Sequence, residues 1–340
     1  MRTLPPGIAA LALSACRVIE PSFDSEGWFE PDEPVYEVIP PLAPRGWAPP
    51  EWFPDDADQA LWVVDDLGAD PTFRKGPKVR ASSAVVADLD RGEILWGKDP
   101  DSPRSIASLT KLVSALTLMS TGADLDRSVC VSLEQWPTRP GARSKFETGD
   151  CVSGWELVGA ALIASDNRGA FSMPSLADED YYVFVDRMEL VADDLGMDAA
   201  TFVDPAGLED ENMATARDVL RAVTAVALHP VLAPIASAPT WSIDTSRGER
   251  TLGSTNRILA LSEQPAKTIK RGRRTLTFTP PPFETLAAKT GYTDTAHYCF
   301  ATVVRSTRTG KLLAAVVLNA PTSSARFDDV TAMLDWADSL

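Results

Sequence analysis

Residues 298–318 read YCFATVVRSTRTGKLLAAVVL. Tyr298–Val304 and Leu312–Leu318 are short apolar runs, and the polar stretch between them carries the turn pair Thr309-Gly310. Runs of this length bounded by turn residues read as two strands of a hairpin. Downstream, Phe327 to Ala337 reads as a closing helix with Val330, Met333 and Leu334 on one face. Far upstream the same kind of signal recurs. Ser83–Asp88 (SAVVAD) is a short apolar strand, Asp90-Arg91-Gly92 is a turn, and Glu93–Trp96 (EILW) is a second strand. The chain between is mostly helical in pattern. Strands at both ends with helices between them predict an α/β sandwich. Its sheet is built from the two ends of the domain, and a helical subdomain is inserted. Short hairpin connections make that sheet largely antiparallel. The domain is expected over residues 79–340.

Composition narrows the chemistry. The chain has 340 residues, 44% of them hydrophobic, enough to bury a sizeable core. A formal net charge of -16 argues against a nucleic-acid partner, whose phosphates need a cationic surface. It also disfavours simple electrostatic docking on anionic lipid, but one local cation in a pocket can still receive an anionic substrate. The only two histidines are His229 and His297. A histidine-based metal site or a Ser-His-Asp triad is therefore poorly supplied, and no metal or cofactor is expected. Acyl-transfer chemistry here must find another base. The four cysteines, Cys16, Cys130, Cys151 and Cys299, lack the C-x-x-C spacing of a zinc ribbon. Cys130 and Cys151 flank an irregular stretch, and either a bridge or two free thiols fits that pattern. Cys299, between Tyr298 and Phe300 in a strand, reads as a buried thiol.

The N-terminus reads as export. Residues 1–16, MRTLPPGIAALALSAC, place one arginine before an apolar stretch, Ile8 to Leu13, and then small residues. Leu13-Ser14-Ala15-Cys16 resembles a bacterial lipobox, in which the cysteine is acylated and becomes the first residue of the mature protein. The single arginine and the Pro5-Pro6 pair depart from the usual form of such a segment. Residues 17–78 are rich in proline and acid, which disfavours helix and inner strand and reads as an extended tether. Trp28, Phe29, Trp47, Trp52 and Phe53 are many aromatics for a solvated linker, so part of it is expected to lie on the domain or on a partner.

Three motifs carry the chemistry. In RSIASLTKLVSALTLM, Ser108 and Lys111 stand three residues apart on a helical pattern and so share a face. A desolvated lysine beside a hydroxyl loses basicity and can act as a base. Alone the signal is weak, because S-x-x-K arises about once by chance in a chain of this length. After the apolar stretch WELVGAALIA come Ser165-Asp166-Asn167, a hydroxyl able to relay a proton and an amide able to bind a carbonyl. A second S-x-N, Ser254-Thr255-Asn256, reads as a decoy. Lys289-Thr290-Gly291, in ETLAAKTGYTD, offers a cation and a hydroxyl on a strand whose glycine leaves room for a substrate backbone.

The order S-x-x-K, S-x-N, K-T-G is that of penicillin-binding proteins and class A β-lactamases. RSIASLTK, ATFVDPAGLEDENMATARDV and AAKTGYTDTAHYCFATVVR extend the likeness over about residues 80–340. The chain resembles the S11-type serine D-alanyl-D-alanine carboxypeptidases, the low-molecular-mass penicillin-binding proteins of the β-lactamase/transpeptidase-like superfamily. The resemblance implies removal of the terminal D-Ala from peptidoglycan pentapeptides through an acyl-serine intermediate. It also implies acylation by β-lactam antibiotics and a place in the cell envelope or periplasm. Ser108 would be the nucleophile, Lys111 its base, and Ser165 the proton relay. Asn167, Lys289, Thr290 and Gly291 would bind substrate. The N–H groups of Ser108 and Tyr292 would form the oxyanion hole.

Several residues depart from the family pattern. Ile106 replaces a usual proline, His297 replaces a usual glycine, and Asp166, Arg168 and Gly169 alter the usual S-G-N-D-A. Asp166 and Arg168 are expected beside the cleft, where they could pair with each other. The second domain and amphipathic anchor of many relatives are not expected after Leu340, and a lipid on Cys16 would tie the enzyme to a membrane instead. Three other functions compete with the main one. A D,D-endopeptidase of the same family uses the same residues. A class A-like β-lactamase needs an E-x-x-L-N loop, and none is found between Asn167 and Lys289. A non-catalytic peptidoglycan-binding module would be compatible with the altered residues around Asn167.

Overall fold

The computed structural model of the chain describes residues 76–132, 144–262, 267–271, 274–278 and 280–340, with the short strand pair Cys16–Val18 and Tyr36–Val38. The segment expected to direct export, residues 1–16, and the tether, 17–78, otherwise lie outside the described residues, apart from 76–78.

Five strands form the central sheet: β1 (Ser83–Asp88), β2 (Glu93–Lys98), β3 (Phe283–Thr293), β4 (His297–Ser306) and β5 (Leu312–Ala320). Their spatial order is β3-β4-β5-β1-β2, and every neighbouring pair is antiparallel. The sheet is thus made from the two ends of the domain, as expected, with β5 lying beside β1. Strands β1 and β5 are near-continuous apolar runs rather than alternating ones because both faces of the sheet are covered there. Val85, Ala87, Ala301, Val303, Ala314 and Val316 face a helical layer that includes Leu112, Leu116, Val219 and Val223. Ala84, Val86, Phe300, Val304, Leu313 and Ala315 face Val330, Met333, Leu334 and Ala337. Each buried Val, Leu, Phe or Met among them stabilises the fold by about 1.5–3 kcal/mol relative to an exposed one, and each Ala by less.

Six helices matter for the site: α1 (Thr110–Ser120), α2 (Gly154–Ile163), α3 (Asn167–Phe171), α4 (Tyr181–Asp194), α5 (Ala216–Leu228) and α6 (Ser323–Asp338). All residues of α1 are buried, including Lys111, which marks it as the central helix of the subdomain. Helix α5 packs between α1 and the sheet, and starts at a capping box in which Thr215 and Asp218 satisfy each other's backbone N–H. On the opposite face, α6 begins earlier than its apolar pattern shows, because Thr322 caps a polar first turn at Ala325 N. The buried Asp329 of α6 accepts from the N–H groups of Arg80 and Ala81, tying the start of the domain to its end.

A second hairpin, Thr240–Thr245 with Gly248–Gly253, packs on α2 through Val131, Phe146, Leu157, Ile243 and Leu252. Nearby, Cys130 and Cys151 form a disulfide between two short paired strands. Cys299 is a free buried thiol.

Candidate active site

Ser108 lies in a single 3-10 turn, Ala107–Leu109, that runs directly into α1. The preceding residue, Ala107, has φ 47, a left-handed conformation that side chains seldom adopt. Gly207 is seated against it. Its own φ is 72, and a Cβ at position 207 would lie only 1.9 Å from the Ala107 carbonyl oxygen, so the position accepts glycine alone. The loop carrying Gly207 is wound around the buried carboxylate of Asp204. Its Oδ1 accepts from Ala206 N (2.6 Å) and Gly207 N (2.7 Å). Its Oδ2 accepts from Leu208 N (2.9 Å), Glu209 N (2.7 Å) and Asn212 Nδ2 (2.7 Å).

This loop delivers a carbonyl to Lys111. Lys111 Nζ is 2.6 Å from Ala206 O, 2.8 Å from Asn167 Oδ1 and 2.8 Å from Ser108 Oγ. Burial pushes the amine down to about 7, and the carboxylates of Asp204 and Asp166 only partly oppose that shift. Ala206 O and Asn167 Oδ1 can only accept. They take two of the N–H bonds of Lys111, and the third position of the nitrogen faces Ser108 Oγ, to which the ammonium form donates and where the neutral form carries its lone pair.

Ser165 closes α2 in a left-handed conformation, φ 57. Asp166 then caps α3, accepting from Gly169 N (3.1 Å), from Ser144 Oγ (2.8 Å) and from Lys145 N. Arg168 Nη1 donates to the Phe146 carbonyl at 2.9 Å. Asp166 and Arg168, two of the three residues that depart from the usual motif, therefore reach to the 144–146 loop, and they hold that loop against the start of α3.

From the edge strand β3, Lys289 Nζ donates to Ser165 Oγ at 2.8 Å and to Thr290 O at 2.9 Å. Lys289 is buried, and desolvation, helped by the nearby cations of Lys111 and Arg326, holds its amine well below the usual lysine range. Thr290 Oγ1 donates to Thr255 Oγ1 at 2.8 Å. Gly291 abuts the turn that bears Ser108: a Cβ there would come within 2.8 Å of Ile106 O and 3.2 Å of Ser108 N. The glycine therefore lets the strand approach the turn. Tyr292, the next residue, is exposed.

The three motifs, separated widely in sequence, thus meet at one place. Two buried amines each contact a serine hydroxyl, which suits acyl transfer to serine with no histidine. His229 is used structurally: its Nδ1 accepts from Val231 N and Leu232 N, and burial holds it near 3. Among the described residues no cluster of metal-ligating side chains occurs. The sequence patterns missed two participants. Thr255 sits inside the decoy S-x-N, yet it touches Thr290. Ala206 acts through a backbone carbonyl, which leaves no side-chain signature, and only the glycine of DPAGL marked its loop.

Comparison with known proteins agrees with this geometry. The family described as Peptidase S11, D-alanyl-D-alanine carboxypeptidase, matches residues 70–322. The D-alanyl-D-alanine endopeptidase of Escherichia coli (strain K12) is 27% identical over 269 residues, covering 79% of this chain and 80% of that protein. The D-alanyl-D-alanine carboxypeptidase DacF of Bacillus subtilis (strain 168) is 26% identical over 268 residues, covering 76% of this chain and 62% of that protein. Among solved structures, penicillin-binding protein D2 from Listeria monocytogenes in its cefotaxime-bound form superposes with a TM-score of 0.62 at 26% identity, covering 77% of this chain and 98% of that one. The chain belongs to the S11 family of D-alanyl-D-alanine carboxypeptidases.

Proposed function

We propose that the carboxypeptidase reaction of this family is carried in this chain by Ser108, with Lys111 as its base. The observation that supports this most is the buried Lys111 amine, 2.8 Å from Ser108 Oγ and held by two pure acceptors, so that once neutral its lone pair faces Ser108. The Ser108 proton passes to Lys111 Nζ as Oγ attacks the carbonyl of the penultimate D-Ala. The tetrahedral oxyanion rests between the N–H groups of Ser108 and Tyr292, typically a large part of the barrier lowering in acyl transfer. The proton taken up by Lys111 is handed on through the Ser165 hydroxyl, in contact with Lys289, to the nitrogen of the departing D-Ala as its C–N bond breaks. Asn167 Nδ2 is the end of that amide left for a substrate carbonyl. Lys289 and Thr290 receive the terminal carboxylate, with Gly291 making room for the peptide along the strand edge. Water then hydrolyses the ester.

The cefotaxime-bound Listeria relative supports β-lactams as acylating inhibitors of this chain. Incubation with labelled penicillin followed by mass spectrometry tests the reading. One adduct on the Ser108 peptide is expected, and undiminished labelling of Ser108→Ala would overturn the assignment. The E. coli relative's name supports a second activity, D,D-endopeptidase cleavage of cross-links by the same residues. Rates on a pentapeptide and on a cross-linked dimer, measured with the same preparation, decide between them.

The domain so used is assigned to residues 79–340, and the enzyme acts in the cell envelope. Leu13-Ser14-Ala15-Cys16 supports a lipid on Cys16, with residues 17–78 as the tether to a membrane. Cys16→Ser should release the protein from the membrane fraction or leave its precursor unprocessed. Persistence of the variant in membranes at high salt would remove the anchor.

A further inference from the structure

Arg326 stands in the first turn of α6, beneath the sheet, and sends its side chain to the end of β3. Its Nη1 donates to Gly291 O at 3.0 Å and to Cys299 O at 3.3 Å. The guanidinium lies over the rings of Phe327 (4.8 Å) and Tyr298 (5.5 Å). Its Nε is buried with no partner among the described residues. Placing a guanidinium here carries a desolvation cost, and Cys299 O and Gly291 O are the backbone groups that receive it.

Gly291 O and Tyr292 N belong to one peptide unit. The chain has no cis peptide bonds among the described residues, so the Tyr292 N–H leaves this unit opposite to the Gly291 C=O. The carbonyl turns to Arg326, and the Cα of Gly291 adjoins Ser108 N. We propose that Arg326 is a positioning residue that orients and polarises the Tyr292 N–H as an oxyanion donor. Two effects combine. The hydrogen bond to Gly291 O fixes the plane of the peptide. A cation on the carbonyl also draws electron density from the amide and makes its N–H a stronger donor, as in any chain of polarised hydrogen bonds. The inference rests on Tyr292 serving the oxyanion hole, as proposed above.

The test uses the full chain, acylated by benzylpenicillin carrying 13C at the β-lactam carbonyl. Infrared difference spectroscopy then reads the ester carbonyl stretch, which falls as hydrogen bonding to the oxyanion position strengthens. Arg326→Met should move the stretch to higher frequency and slow acylation about tenfold, less than the roughly 100-fold or more for losing an oxyanion donor outright. Arg326→Lys keeps the charge and loses the planar fork. It should move both readouts the same way by less. Both are measured well below each variant's unfolding temperature, so a merely structural role would lower that temperature and leave the stretch in place. An unchanged stretch and rate in Arg326→Met overturns the inference, and if that variant does not fold, the same result in Arg326→Lys does so. Failure of the underlying reading looks different: wild type itself would show no adduct on Ser108, or an ester stretch like that of an ester in water.

Discussion

Lys111 Nζ lies 2.6 Å from the carbonyl oxygen of Ala206, a residue 95 positions away along the chain. The contact joins a helix of the subdomain core to a loop wound on Asp204, and it sets the direction of the amine that faces Ser108.

Acylation should therefore depend on pH through Lys111. The ammonium form has no lone pair, so the rate should fall about tenfold per pH unit below an apparent pKa near 7 and level off above it. An unburied lysine would place that limb near 10.5. Stopped-flow acylation by a chromogenic β-lactam from pH 5 to 9 checks this. A rate still climbing at pH 9 would show that Lys111 is not the base or is not desolvated.

Thr255 gives Thr290 its acceptor. Thr255→Val keeps the side-chain shape and removes that acceptor, leaving the Thr290 hydroxyl free to rotate. The expected result is a KM for pentapeptide raised about fivefold, the size of one hydrogen bond of about 1 kcal/mol, with kcat changed less. Steady-state release of D-Ala measures it, and an unchanged KM would return Thr255 to a purely structural place.

The Cys130–Cys151 bridge closes a sequence separation of 21 residues. Loop-closure entropy assigns such a cross-link about 3 kcal/mol. Unfolding of the protein in denaturant, with and without reductant, should differ by that order, and the paired Cys130→Ser, Cys151→Ser variant should match the reduced protein. Equal midpoints would show that the bridge contributes nothing to stability.

His297 opens β4, directly after the turn from β3, with φ 51. This is the left-handed region, where a glycine carries no steric cost, and it gives a physical reason for the glycine usual at this place in the family. His297→Gly should leave the protein as stable or raise stability by about 0.5–1 kcal/mol after the entropy lost by glycine. Thermal unfolding decides, and a loss of more than that amount would point to a contact made by the imidazole.

Much of the fold could be read along the chain. Strands β1 and β5 are dense apolar runs because helices cover both faces of the sheet, and the turn Asp90-Arg91-Gly92 separates β1 from β2 without ambiguity. Ser108 and Lys111 share a face through helical spacing alone, and the K-T-G strand declares itself by its glycine. The start of α6 was harder, since Ser323, Ser324 and Arg326 carry no apolar signal and the cap at Thr322 is a single side-chain contact.

Only the tertiary structure decided the rest. Whether Cys130 and Cys151 pair depends on two short strands lying side by side, which their spacing leaves open. Asp166 and Arg168 could not be assigned partners until the 144–146 loop was placed. The basicity of Lys111 comes from the elements packed around it, and its other contacts are a carbonyl at 206 and an amide at 167. Local patterns report what a segment's own side chains prefer. A backbone carbonyl has the same chemistry at every position, and a distance between remote segments is set by how their apolar faces pack, so neither leaves a mark in the order of residues.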